Sequence, residues 1–251
     1  MRINLRPLIF ATLFFLPTFL FAQSTNAPFA VVELFTSEGC SSCPPAEQVL
    51  KDIAADATKN HKNIYCLEYH VDYWNHGGWK DPFSKNQFTF RQNGYSSALQ
   101  QRELYTPQMI VNGETEFIGS HKEEATTAIN KALSISPKIS ISMNVDSVVS
   151  DSAYVHFTSN QQDKNFFLHF AIVENNLTSK VGKGENSGKT LTHTHVVRVF
   201  YTVDLREKSG ATKIPLKGFT INNSCSLIAF VQHKQSMKIL AAVSAPLPPS
   251  N

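Results

Sequence analysis

From Phe29 to about Leu133, apolar runs and amphipathic stretches take turns along the chain. Phe29–Thr36 is an apolar run whose only charge is Glu33, which predicts a strand. Ala46–Ala57 places Val49, Leu50, Ile53, Ala54 and Ala57 on one helical face. Asn63–Tyr73 reads as a second strand, Trp74–Ser84 as irregular, and Gln87–Gln101 as a helix. Tyr105–Val111 then predicts a strand, Asn112-Gly113 a turn, Glu116–Ile118 its hairpin partner and Lys122–Leu133 a closing helix. The expected order is β-α-β-α-β-β-α. From Pro137 to Val243 the pattern changes to short strands. Ile139, Ile141, Met143 and Val145 alternate with Ser140, Ser142 and Asn144, and similar runs occur at Ala153–Phe157, Phe166–Glu174, His193–Val203, Ser226–Gln232 and Lys238–Val243. That change predicts an α/β domain over residues 29–134 followed by an all-β, sandwich-like domain over residues 137–245, with Pro246–Asn251 as a flexible tail.

The first residues stand outside this pattern. Arg2 and Arg6 precede the apolar run Leu8–Phe21, which reads as a secretory signal peptide, residues 1–22, cleaved after Ala22. The run is interrupted by Pro17 and falls short of the roughly 20 residues that span a bilayer. A periplasmic or secreted location follows, with no stable membrane span after cleavage. The formal net charge of the 251-residue chain is only +3, and both signs are spread along it. Nothing suggests the concentrated basic face of a nucleic-acid binder, so none is expected as partner.

Export changes what the cysteines can do, because disulfides persist outside the cytosol. There are four, Cys40, Cys43, Cys66 and Cys225, too few for a disulfide scaffold in a chain of this length. Cys40-Ser41-Ser42-Cys43 falls between the first strand and the first helix, where helix N–H groups favour thiolate. Pro44 and Pro45 suit a first helical turn, although the pattern leaves open whether the helix starts before or after Cys43. Three readings compete for the pair: a redox dithiol, half of a metal site, or an inert structural disulfide. The redox reading leads, because a CxxC pair at this junction is a moderately specific signal and no second ligand pair lies close in sequence.

Thr106-Pro107 immediately precedes the strand Gln108–Val111. A cis bond there brings the Thr106 backbone beside the dithiol to pair with an extended substrate, whereas a trans proline merely starts an edge strand. Glu33 is expected as a partly buried carboxylate near Cys43 that exchanges a proton as a mixed disulfide resolves; its plain alternative is a satisfied structural acid. His70, Asp72, Tyr73, Trp74, Trp79 and Asp81 crowd the end of the second strand and the loop after it. They read either as a hydrogen-bonded loop core or as the wall of a substrate groove, with Trp79 as the contact. His193 and His195 share a face if both lie on a strand, a weak metal signal without a third ligand. Cys66 reads as buried and unreactive, and a bond to Cys225 stays open.

With these residues in view, the first domain resembles the thioredoxin-like superfamily: the dithiol, the Thr106-Pro107 bond, the hairpin and the last helix come in matching order. More closely, the chain resembles DUF1223, an exported family defined as a domain of unknown function. The matching stretches are Glu33–Ser37, Gly39–Ala46, His70–Trp74, Gly78–Phe83, Arg91-Gln92, Tyr105–Gln108 and Gly184–Gly188. Asn75 departs from the family's acid and Glu38 from its glutamine, and an acid beside Cys40 opposes thiolate formation. The resemblance implies a thioredoxin-like N-terminal domain. The leading expectation is an exported thiol-disulfide oxidoreductase in which Cys40 attacks, Cys43 resolves, Glu33 and Pro107 assist, and Thr106 and Trp79 bind substrate. Its partners would be protein or small-thiol disulfides and a redox partner, with no cofactor and no metal residue assigned. The alternatives are a module that binds Cu(I) through the dithiol and a redox-inert, protein-binding scaffold.

Overall fold

A computed structural model describes residues 27–248, so the expected signal peptide, residues 1–22, and the end of the expected tail lie outside the described residues. Strand β1 (Ala30–Thr36) is buried along its whole length, as its near-continuous apolar run requires. Helix α1 (Cys43–Lys59) follows and starts at Cys43, with a proline in its first turn. Strand β2 (Ile64–His70) pairs in parallel with β1. After a 3-10 turn at Asn75–Gly77 come helix α2 (Asn86–Ala98), strands β3 (Gln108–Val111) and β4 (Thr115–Ile118), and helix α3 (Lys122–Leu133). The β3–β4 hairpin turns through Asn112 and Gly113, both at positive φ. A side chain at position 113 would meet the Met237 carbonyl oxygen at 2.0 Å, so only glycine fits there.

Nine strands follow: β5 (Ile141–Val149), β6 (Ser152–Ser159), β7 (Phe166–Glu174), β8 (Leu177–Lys180), β9 (Thr190–His193), β10 (Val196–Asp204), β11 (Ser209–Pro215), β12 (Cys225–His233) and β13 (Ile239–Pro246). The order of elements up to α3 is the expected one, but the architecture is not. The chain is mostly β and does not build an α/β thioredoxin-like domain followed by a separate sandwich. Its main sheet has eight strands in the order β13-β12-β7-β10-β2-β1-β3-β4, drawn from both halves of the chain. The join is β10 against β2, where Val196 sits opposite Glu68 and the Glu68 N–H donates to the His195 carbonyl. Alternation marks each strand but not its neighbour, and this pairing spans more than a hundred residues.

Residue parity decides what covers each face of this sheet. Val31 and Phe35 of β1, Leu67 and Tyr69 of β2, Ala171 and Val173 of β7, and Phe230 of β12 share one core with Phe88 and Tyr95 of α2. On the other face, Ala30, Val32 and Leu34 pack with Ala46 and Leu50 of α1 and Ile129 of α3. Further along that second face, Leu168, Phe170, Ile172 and Leu227 meet the three-stranded sheet β11-β6-β5. Among the described residues, no helix is long and apolar enough to cross a membrane.

The expected strand His193–Val203 breaks between β9 and β10, where His195 takes a positive φ. His193 and His195 therefore do not share a strand face. Cys66 and Cys225 are both buried and unbonded, and burial alone pushes the Cys66 thiol up to about 12.

Candidate functional site

Cys40 and Cys43 form a disulfide between the end of β1 and the first turn of α1, with Cα atoms 5.4 Å apart. The loop is set by its own backbone: Cys40 N–H donates to the Ser37 carbonyl, and Cys43 N–H to the Cys40 carbonyl. Both cysteines are fully buried, although Ser41 and Ser42 between them are exposed. The cover comes from a distant segment, residues 181–189 between β8 and β9. Asn186, itself buried, donates from Nδ2 to the carbonyls of Glu38 (3.0 Å) and Cys40 (2.9 Å). Glu185 accepts the Ser41 N–H at 2.9 Å, and hydrogen bonding from Ser41, its side chain first and its N–H second, lowers the Glu185 carboxyl pKa. Gly182 lies close against the Trp79 ring, which a Cβ there would approach to 3.0 Å.

This cover gives the Gly184–Gly188 motif a physical reason: it is the lid of a loop nearly 150 residues earlier in the sequence. Replacing Asn186 by alanine removes two bonds worth about 2 kcal/mol together. Reduction of the Cys40–Cys43 bond by a small thiol should then speed up by as much as roughly thirtyfold. Stopped alkylation followed by mass measurement reads that rate. An unchanged rate would show that this segment does not guard the disulfide.

Beside the lid lies a cleft of about 330 Å³ walled by Gly39, Trp74, His76, Trp79 and Glu185. Trp74 ties the cleft to the Thr106-Pro107 bond, which is cis. Its indole N–H donates to Thr106 Oγ1 at 2.7 Å, while its own Cβ would lie 3.3 Å from a Cβ placed on Gly39. Pro107 packs within van der Waals reach of a Cβ placed on Gly119, a position that also touches Ala46 in the first turn of α1. The structure thus gathers Cys40, Cys43, Thr106, Pro107 and Trp79 at one end of the sheet, and adds Trp74 as their link.

Glu33 is not part of that gathering. It points to the α2 face of the sheet with Val31 and Phe35, whereas the helix that starts at Cys43 covers the face of Val32 and Leu34. Its Oε1 accepts the Arg91 Nε–H at 2.7 Å, and Tyr95 donates its hydroxyl to Oε2. Arg91 also donates to Tyr95 and to Gln232 of β12, beneath the rings of Tyr69, Tyr95, Phe200 and Phe230. This is the structural reading of Glu33: one ion pair that ties β1, α2 and β12.

The acids that do lie under the dithiol loop are Glu38, Glu47, Glu68 and Asp81, together with His70 and His193, all buried. Thr36 donates to Glu47 Oε1 at 2.7 Å, and the Glu38 N–H donates to Asp81 Oδ2 at 2.9 Å. Trp79 donates its indole N–H to Glu38 Oε2 at 2.7 Å. Burial opposes a charge on His70, but Asp81 and Glu68 outweigh it and raise the pKa to about 10. For His193, burial is likewise outweighed by Glu38, Glu47 and Glu68, which raise it to about 12. The sequence offered one signal for this cluster: single acids in otherwise apolar segments, such as Glu68 in Ile64–His70. The Glu38 side chain turns inward to His193 and Trp79, which explains how an acid is accommodated one residue from the Gly39-Cys40 turn.

Residues 31–232 match the sequence profile of a family described as Protein of unknown function (DUF1223). The chain belongs to this family. No curated protein matches it. Among solved structures it is similar to a crystallised protein of Agrobacterium tumefaciens, with 25% identity and a TM-score of 0.64 over 88% of this chain and 95% of that one. It is also similar to HBP35 of Porphyromonas gingivalis, with 16% identity and a TM-score of 0.65 over 90% of this chain and 77% of that one. The second likeness is one of fold alone.

Proposed function

We propose that this protein is an exported thiol-disulfide oxidoreductase whose working groups are Cys40 and Cys43. The observation that carries this reading is the placement of the pair. It sits at the β1–α1 junction, beside a tryptophan-walled cleft and behind a lid fastened by a few hydrogen bonds. In the reduced protein, Cys40 thiolate attacks one sulfur of a substrate disulfide, forming a mixed disulfide and releasing a substrate thiolate that takes up a proton. Cys43 thiolate then attacks the Cys40 sulfur, which closes the Cys40–Cys43 bond and releases the second substrate thiol. Two electrons pass to the substrate, and the same steps reversed oxidise a dithiol. Placing Cys43 at the first position of α1 supports its thiolate as it resolves the mixed disulfide.

Thr106 and Pro107 border the approach, and Trp79 and Trp74 form its apolar wall, which suits an extended peptide with an apolar side chain. Kinship with thioredoxin-like proteins is confined in our reading to this junction and to the Thr106-Pro107 segment. The apolar run after Arg2 and Arg6, and a disulfide that is kept closed, support export to a periplasmic or extracellular space. A second reading, an inert disulfide staple, is favoured by one observation only, the complete burial of both sulfur-bearing residues.

A Cys43→Ser variant separates the two. Incubated with a peptide disulfide, it should accumulate a covalent adduct at Cys40, seen as a mass increase that dithiothreitol removes. Absence of any adduct after the lid is also opened with Asn186→Ala would leave the staple reading.

A further inference from the structure

Four carboxylates and two imidazoles meet beneath the dithiol loop in a space closed to solvent, and six buried ionisable groups are more than two ion pairs require. Their atoms fall into an inner and an outer set. Inside, His70 Nε2 lies 2.8 Å from Glu68 Oε1, His193 Nδ1 lies 3.1 Å from the same oxygen, and all three atoms fall within 4.8 Å of one another. Glu47 Oε2 adds a fourth donor, 3.3 Å from His193 Nδ1. Outside, the second nitrogen of each ring is backed by its own carboxylate. His70 Nδ1 meets Asp81 Oδ2 at 2.7 Å, and His193 Nε2 meets Glu38 Oε1 at 3.1 Å.

A tetrahedral ion with bonds of about 2.0–2.2 Å holds its ligand atoms about 3.3–3.6 Å apart. The three inner contacts of 2.8, 3.1 and 3.3 Å need to spread by no more than about half an ångström to reach that. The outer pairs have the carboxylate–histidine–metal arrangement that fixes a ligand's tautomer and raises its basicity. We propose that Glu68, His70, His193 and Glu47 bind one divalent transition ion, zinc by donor type, with Asp81 and Glu38 as the supporting acids. Two nitrogens and two carboxylate oxygens disfavour calcium and magnesium, which take more oxygen ligands, and also Cu(I), which prefers thiolates. On binding, the ion takes the place of the protons on the two inner nitrogens, which leave to solvent. Because Glu38 immediately precedes Gly39 and Cys40, the ion would brace the floor of the dithiol loop. The site does not depend on the dithiol being catalytic.

The test is a zinc titration of the chelator-treated, full-length protein against a chromophoric competitor. The expected result is one ion per chain, with the thermal unfolding midpoint rising on addition. Asp81→Asn should weaken binding by about 10–100-fold, as loss of a supporting acid does elsewhere. Glu68→Gln and His193→Gln should abolish it, and circular dichroism shows which variants keep the fold. A variant with Cys40 and Cys43 both changed to serine should still bind one ion, and its cobalt form should show tetrahedral visible bands without a thiolate charge-transfer band. No binding by the unaltered protein, or binding lost with the two cysteines and kept in folded Glu68→Gln, would overturn the assignment.

Discussion

Disulfide exchange should fall to the uncatalysed background when Cys40 is replaced by serine, with the fold retained. In the proposed mechanism Cys40 supplies the attacking sulfur and Cys43, the first residue of α1, only resolves the mixed disulfide, so Cys40 is the one that cannot be substituted. The structural cost is small by comparison. A bond that closes a loop of three residues' separation restricts the unfolded chain little, contributing about 2 kcal/mol in the chain-entropy account. A domain of ordinary stability, about 5–15 kcal/mol, survives that loss. The measurement is turnover of a peptide disulfide by purified Cys40→Ser, alongside its denaturant unfolding curve. Retained turnover would remove Cys40 from the role given to it here.

Arg91→Ala should destabilise the fold by about 3–5 kcal/mol, the largest stability effect we expect from a single side chain outside the apolar cores. Removing the guanidinium leaves Glu33 charged in a wholly buried position, takes three hydrogen bonds from Glu33, Tyr95 and Gln232, and empties the space between four aromatic rings. A second variant, Glu33→Gln in the Arg91→Ala background, should recover part of the loss, because the orphaned charge is gone. Chemical denaturation of the single and double variants checks both. A cost near that of a surface substitution, within about 0.5 kcal/mol, would mean that the pair holds nothing together.

The Arg91–Glu33 pair also shows where sequence reading stops. The strand around Glu33, the helix after Cys43 and the hairpin at Asn112 were legible, because period and turn chemistry are local properties. Which side of β1 the helix would cover was not, and that side decides the role of Glu33. Glu33 shares parity with Val31 and Phe35, while α1 settles on Ala30, Val32 and Leu34. The two-domain architecture failed for a related reason: the β10–β2 join is one backbone pairing between segments far apart in sequence, and nothing in either alternation pattern names its neighbour. His193 shows the same limit at the site. As half of an i, i+2 pair it carried little weight, yet the break before β10 turns it alone into the acids beneath Cys40.

The central claim, that Cys40 and Cys43 are a working redox couple, is tested most directly by its reduction potential in the purified protein. Equilibration in graded thiol buffers, followed by differential alkylation read peptide by peptide, gives the fraction reduced at each potential. Cys66 and Cys225, both buried and unbonded, serve as internal references. A reversible two-electron transition between about −270 and −120 mV is the predicted result, and its position also gives the direction of electron flow. A couple below about −300 mV, or one that never exchanges, would contradict the account and leave a structural disulfide.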